Sequence, residues 1–148
     1  MSTLKNAIPI MFPPLDERVK AHITISAECD LPYEQKLIFQ RVIWAVAEQL
    51  DAEGLPFPQR MGISCVFPQK PEFTIRLDEE QLAVCIRLAV YPISTLAKYG
   101  ASLAVYAIFA EEICHLLWDI ADEVVVNSKV LEVLRHIFPD LELRDLYA

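Results

Sequence analysis

From Lys20 the chain alternates with a period of two. Ala21, Ile23, Ile25 and Ala27 fall on one side and His22, Thr24 and Ser26 on the other, which predicts a strand with one buried face. The period then lengthens. From about Tyr33 to Ala52, Leu37, Ile38, Val42, Ile43, Val46, Ala47 and Leu50 recur at helical spacing, and Gly54 lies just beyond the end. The preceding "ECDLPYEQ" has helix-start chemistry: Asp30 can accept from free amides, Pro32 suits the first turn, and Glu34 favours the positive end of the helix dipole. After the turn-rich "LPFPQR" come three strand-like runs, "MGISCVF", "EFTIRL" and "QLAVCIRLAVY". Their links, "PQKP" and "DEE", are short, which predicts antiparallel hairpin neighbours.

Pro92 closes the last strand, and Ser94 is placed to cap a helical turn. Helix-forming content is then continuous from Ala101 to about Ala121. Asn127 or Ser128 caps a further helix, "KVLEVLRHIF", which Pro139 stops. Residues 1–18, with Pro9, Pro13 and Pro14, hold no period and read as an extended arm laid on the surface. The order strand, helix, three strands, helix, helix predicts one α+β domain over residues 1–148, with helices packed on an antiparallel or mixed sheet.

Composition narrows the function classes. The 148 residues are 54% hydrophobic with a mean hydropathy of +0.30, too apolar for a disordered chain and suited to a large core or a buried partner surface. A net charge of -8 and the lack of any basic run argue against nucleic acid, whose phosphates are bound through clustered Lys and Arg. The longest strongly apolar stretch, Tyr99 to Ala110, is too short to cross a bilayer, and the N-terminus lacks a signal-peptide arrangement. The expectation is therefore a soluble, cytoplasmic protein without a membrane role. Cys29, Cys65, Cys85 and Cys114 form no Cys-x-x-Cys pair and read as reduced core thiols.

The stretch "FAEEICHLLWDIADE", Phe109 to Glu123, follows ten almost wholly apolar residues and carries five carboxylates and one histidine. On a continuous helix with Glu111 at the origin, Asp122 falls near ~20°, His115 near ~40°, Asp119 near ~80°, Glu112 near ~100° and Glu123 near ~120°. All share one third of the circumference. A solvated acidic face accounts for that pattern. Followed backwards, however, the same arc passes through Ile108, Val105, Ala104 and Ala101, so the helix turns polar only from Glu111 onward, as it would on leaving the core beside a cleft.

"EEICH", Glu111 to His115, resembles the active-site helix of the zincin-like metallopeptidases, whose motif is His-Glu-x-x-His. The resemblance places Glu112 as general base and His115 as the second metal ligand, with Glu111 where the first histidine belongs. The element order resembles the small zincin core over residues 20–138. What this implies is zinc or another divalent cation and a metal-dependent, peptidase-like hydrolase with an altered or lost metal site. Asp119 is about 12 Å along a straight helix from Glu111, too far to share an ion with it. Zincins that recruit a carboxylate from the next helix are the closer analogy, and there Glu132 and His136 are the candidates, each of which an ordinary surface ion pair also explains.

Two other readings stand beside this one. Glu112 to His115 also fits Glu-x-x-His of carboxylate-bridged di-iron bundles, but four strand-like runs contradict an all-helical core. The non-catalytic alternative is a protein-interaction or homo-oligomerising module on the same scaffold, with Phe12, Trp44, Phe57 and Tyr147 as candidate aromatic anchors.

Overall fold

The structure, a computed structural model, describes residues 3–56, 62–77 and 86–147. The elements in chain order are β1 (Thr3–Leu4), α1 (Glu17–Lys20), β2 (Ile23–Ala27), α2 (Tyr33–Glu53), β3 (Ile63–Phe67), β4 (Ile75–Arg76), β5 (Arg87–Val90), α3 (Ile93–Leu96), α4 (Leu103–Leu117), α5 (Glu123–Leu134) and α6 (Leu143–Leu146). This is an α+β fold with both parallel and antiparallel pairing. No helix among the described residues is long and apolar enough to cross a membrane.

The pairing differs from the hairpins expected. β2, β3 and β5 form a parallel sheet in that order, with Ile23 opposite Ile63, Cys65 opposite both Ile25 and Ala89, and Val66 opposite Val90. β4 leaves this sheet and pairs antiparallel with β1 in the N-terminal arm, Thr3 opposite Arg76 and Leu4 opposite Ile75. Parallel neighbours need a crossover of a dozen residues or more. α2 supplies it between β2 and β3, and the excursion 68–86 supplies it between β3 and β5. The hairpin expectation fails because, among the described residues, β4 pairs with β1 and with neither β3 nor β5. Met61, Leu82, Val84 and Cys85 lie outside the described residues.

α2 forms where the helical spacing placed it. Ile38, Phe39, Val42, Ile43, Val46 and Leu50 are buried, and Gly54 ends the helix in the left-handed region at φ 66. Pro32, rather than Asp30, sits at the cap position; Asp30 accepts from the Leu31 amide and pairs with Lys36 at 2.5 Å. α3 likewise starts after Pro92, without a cap from Ser94. The arm lies deeper than expected: Leu4 and Leu15 are buried, and Phe12 packs 5.1 Å from Phe39. Asp16 caps α1 by accepting from the Arg18 and Val19 amides, while Arg18 grips Asp51 of α2 at 2.8 and 3.0 Å.

α4 packs against α2, α5 and β5. Its seat is an aromatic cluster in which Phe109 meets Phe39 at 5.2 Å and Tyr91 at 5.1 Å, both edge-on, with Phe67 behind. The buried Tyr91 hydroxyl donates to the Phe109 carbonyl at 3.0 Å, so its polar tip is satisfied inside the core. Phe109→Ala should therefore cost about 3–5 kcal/mol of unfolding free energy through the cavity it leaves. Urea denaturation measures this, and a loss under about 1 kcal/mol would mean that the cluster does not seat α4.

Candidate functional site

α4 ends earlier than the expected end at about Ala121 and α5 starts earlier than expected, and the short break between them builds the site. α4 ends at Leu117, where the Trp118 amide still donates to the Cys114 carbonyl. Asp119 then turns left-handed at φ 52, a conformation that Asp tolerates better than most residues. The Ile120 amide donates back to the His115 carbonyl at 3.0 Å. Asp122 starts α5 by accepting from the Val125 amide at 2.9 Å, and Glu123 occupies the first turn. The start expected at Asn127 or Ser128 therefore lies inside α5. The β-branched run Val124 to Val126 hid the Asp-Glu start signal that precedes it.

The reversal carries Glu123 back onto the last turn of α4. Glu111, His115 and Glu123 each offer a ligand atom within 4.8 Å of the other two. His115 Nε2 lies 3.5 Å from Glu123 Oε1 and 3.9 Å from Glu111 Oε1. On its other side, His115 Nδ1 is 2.6 Å from the Ile120 carbonyl, which can only accept, so Nδ1 carries the proton. In the neutral ring Nε2 then points its lone pair at the two carboxylates. A histidine held through one nitrogen by a backbone carbonyl, with the other free to coordinate, is the usual setting of a metal ligand.

The electrostatics follow from this crowding. Partial burial raises the Glu111 carboxyl above its ordinary value, helped by a hydrogen bond with Glu123 and by the charges of Glu123 and Glu112, and opposed by His115. Burial pulls His115 down. The Ile120 carbonyl and the carboxylates of Glu123, Glu112 and Glu111 outweigh it, and the net shift is upward. The cluster thus attracts positive charge, either as protons or as a cation. Ligand atoms around a tetrahedral zinc sit about 3.3 Å apart at bond lengths of about 2.0–2.1 Å, so two carboxylates and one imidazole at these separations fit a divalent cation with little movement.

The other sequence candidates lie elsewhere. Glu112 is half-buried beside the cluster, and its charge acts on both His115 and Tyr91. Glu132 and His136 are not brought to His115. Gln49 of α2 donates to Glu132 at 2.9 Å and faces His136 Nε2 at 2.8 Å, while Lys129 pairs with Glu132 at 3.3 Å and Glu48 pairs with His136 Nδ1 at 3.3 Å. Asp119 is exposed and shapes the turn, and Asp122 is used as a cap. Glu123 is the member of the cluster that sequence reasoning missed. A carboxylate of the next helix does join the cluster, but placing the start of α5 too late pointed to Glu132 instead.

Cys29, Cys65 and Cys114 are free thiols, and burial holds the Cys65 thiol up at about 12, well outside the reactive range. Cys85 lies outside the described residues. A groove of about 670 Å³ opens at the far end of α4, between Leu103, Tyr106, Phe138 and Leu141, and a second of about 300 Å³ adjoins Trp44, Arg41 and His136. Neither contains the Glu111 cluster. Comparison with protein-family profiles, curated proteins and solved structures gives no significant match.

A pH dependence with a definite sign follows for cation-free protein. Both Glu111 and His115 have folded-state values raised above 4.5 and 6.5 respectively. Their contributions to stability are complete below those values and are lost as pH rises through the folded ones. In the presence of a chelator the urea midpoint should fall between pH 5 and pH 8, and Glu111→Gln combined with His115→Gln should flatten that fall. An unchanged slope in the double variant would show that these groups do not share protons.

Proposed function

We propose that this chain is a zincin-like, metal-dependent hydrolase domain whose cation is held by Glu111, His115 and Glu123 instead of by a histidine pair. The observation that supports it most is the convergence of three ligand atoms, from two helices, around a histidine whose other nitrogen is already committed to the Ile120 carbonyl. Three protein ligands leave a coordination position open, the arrangement of catalytic rather than purely structural sites. When bound, the cation supplies Lewis acidity toward a peptide or similar acyl carbonyl. Two carboxylates in place of imidazoles reduce the positive charge available for that purpose, so the site suits zinc and also a harder cation.

Within this reading Glu112 takes the proton of the attacking water. It precedes His115 by three residues, so it rises from the same end of α4, and its charge already acts on the ring. Glu111 and Glu123 hold charge opposite the cation, and Ile120 keeps the imidazole in the ligating tautomer. Lys129, Trp118 and Glu53 brace the same turn from the side: the indole donates to Glu53 at 2.7 Å, and Lys129 both pairs with Glu53 and stacks 5.2 Å over the indole.

A non-catalytic module that docks a partner or a second copy is favoured by one observation, the exposure of Val124 at 75% and Val125 at 53% immediately after Glu123. Solution mass across a concentration series measures self-association of this kind.

Elemental analysis of chelator-free protein tests the main reading. One equivalent of a divalent cation is expected in the parent, lost in His115→Ala and Glu123→Gln, and retained in Glu132→Gln. Glu112→Gln should keep the cation while peptide-library cleavage drops by roughly 10²–10⁴-fold. Absence of stoichiometric cation in the parent, after dialysis against zinc or manganese, would end the hydrolase reading.

A further inference from the structure

The groove at the start of α4 has no part in the cation cluster, and its chemistry is different. Leu103 and Tyr106 of α4 line it together with Ile137, Phe138 and Leu141, which follow the end of α5. Tyr106 meets Phe138 edge-on at 5.0 Å, so the lining is largely apolar and aromatic. Its volume of about 670 Å³ is that of a small-molecule site. The smaller groove of about 300 Å³ shares Ile137 with it and brings in Arg41 and Trp44 of α2.

Arg41 joins the two grooves. Its Nη1 donates to the Tyr106 hydroxyl at 2.9 Å, from α2 across to α4. That bond uses the hydroxyl oxygen as an acceptor and leaves the hydroxyl hydrogen without an acceptor among the described residues. Tyr106 is only 6% exposed, so this is a polar tip held at the wall of an apolar groove. The guanidinium is exposed, and its Nη2 and Nε have no partner among the described residues. The remaining charged residues on the two linings do not neutralise it: Glu48 pairs with His136 at 3.3 Å, and Asp140 is exposed and makes no ion pair among the described residues.

A fixed guanidinium and a phenol hydrogen at the edge of an apolar groove are the donor set for a carboxylate, which accepts from several N–H and O–H groups at once. A single positive centre matches one negative charge, and the apolar lining calls for a hydrocarbon body behind it. We propose that the groove binds a medium-chain fatty acid, with its carboxylate on Arg41 and Tyr106 and its chain along Leu103, Ile137 and Leu141. The Nη1 bond to Tyr106 stays in place and holds the guanidinium at the groove, while Nη2, Nε and the phenol hydrogen serve the ligand. This site is separate from the cation cluster, which begins about 8 Å further along α4, so either assignment can fail without the other.

Titration of the full chain with octanoate, followed through backbone amide shifts, tests the assignment. The parent should bind one equivalent with a dissociation constant of roughly 1 mM or less, and the shifts should centre on Leu103, Ile137 and Leu141. Octylamine and 1-octanol, which keep the chain and lack the anion, should bind at least about 10-fold more weakly. Arg41→Gln should weaken octanoate binding by roughly 10- to 100-fold, and Tyr106→Phe, which keeps the ring against Phe138, by roughly 3- to 10-fold. Both variants should retain the parent's urea midpoint. A parent that ignores octanoate at 10-fold above about 1 mM, equal binding of octylamine, or undiminished affinity in Arg41→Gln each overturns the assignment. A loss of affinity matched by a loss of stability would make Arg41 a packing residue and overturns it as well. A leucine-rich peptide that binds more tightly than octanoate, and loses that advantage when its C-terminal carboxylate is amidated, would give the groove to a protein C-terminus instead and so overturn the fatty-acid assignment.

Discussion

The reversal from Leu117 to Asp122 is the constraint on which the polar end of the molecule depends. His115 and Ile120 are linked twice: the Ile120 amide donates to the His115 carbonyl at 3.0 Å, and the His115 ring donates to the Ile120 carbonyl at 2.6 Å. This pairing closes the turn and sets the imidazole at the same time. Asp119 supplies the left-handed step that lets the chain reverse, and the Asp122 cap, worth about 1 kcal/mol, starts α5 at the place that brings Glu123 to His115. A longer α4 would have carried Glu123 onward along its own axis, with no convergence at all.

Such a turn holds its geometry only if both helices are fixed behind it. α4 is fixed through Phe109, Val105, Ile113 and Cys114, all fully buried or nearly so, and α5 through Val126, Val130, Val133 and Leu134. The boundary between dry and wet therefore falls within α4 itself, just where Phe109 and Ala110 give way to Glu111 and Glu112. Partial burial of Glu111 follows from this position, and that burial, with the charges of Glu123 and Glu112 added, raises its carboxyl above the ordinary value. Packing in the core and charge at the site are thus consequences of one helix crossing one boundary.

Much of this fold was legible because local patterns are local causes. The period-two run at Ile23 to Ala27, the apolar face of α2 and the left-handed Gly54 each depend on residues within a few positions of one another. The parallel sheet was not legible, since pairing β3 with β5 depends on where β4 goes, and β4 goes to an N-terminal strand of two residues that has no detectable period. At the site, Glu111, Glu112 and His115 were legible from helical spacing and from the change in polarity along α4. The role of Glu123 was hidden by the valine run of α5, whose propensity favours strand while its tertiary packing imposes helix.

Charge balance joins these elements. Glu111, Glu112 and Glu123 surround a single imidazole: with the Ile120 carbonyl they hold its proton more tightly against the cost of burial, while burial and the neighbouring carboxylates raise the Glu111 carboxyl. A divalent cation in the proposed site would take the Nε2 lone pair and both carboxylates, which ligate it only when deprotonated. Cation affinity must then rise with pH over the range in which the protons leave. The structural role of the Ile120 carbonyl is the same in both states. It holds Nδ1–H whether Nε2 carries a proton or a cation, so the turn stays closed while the charge that occupies the cluster is exchanged.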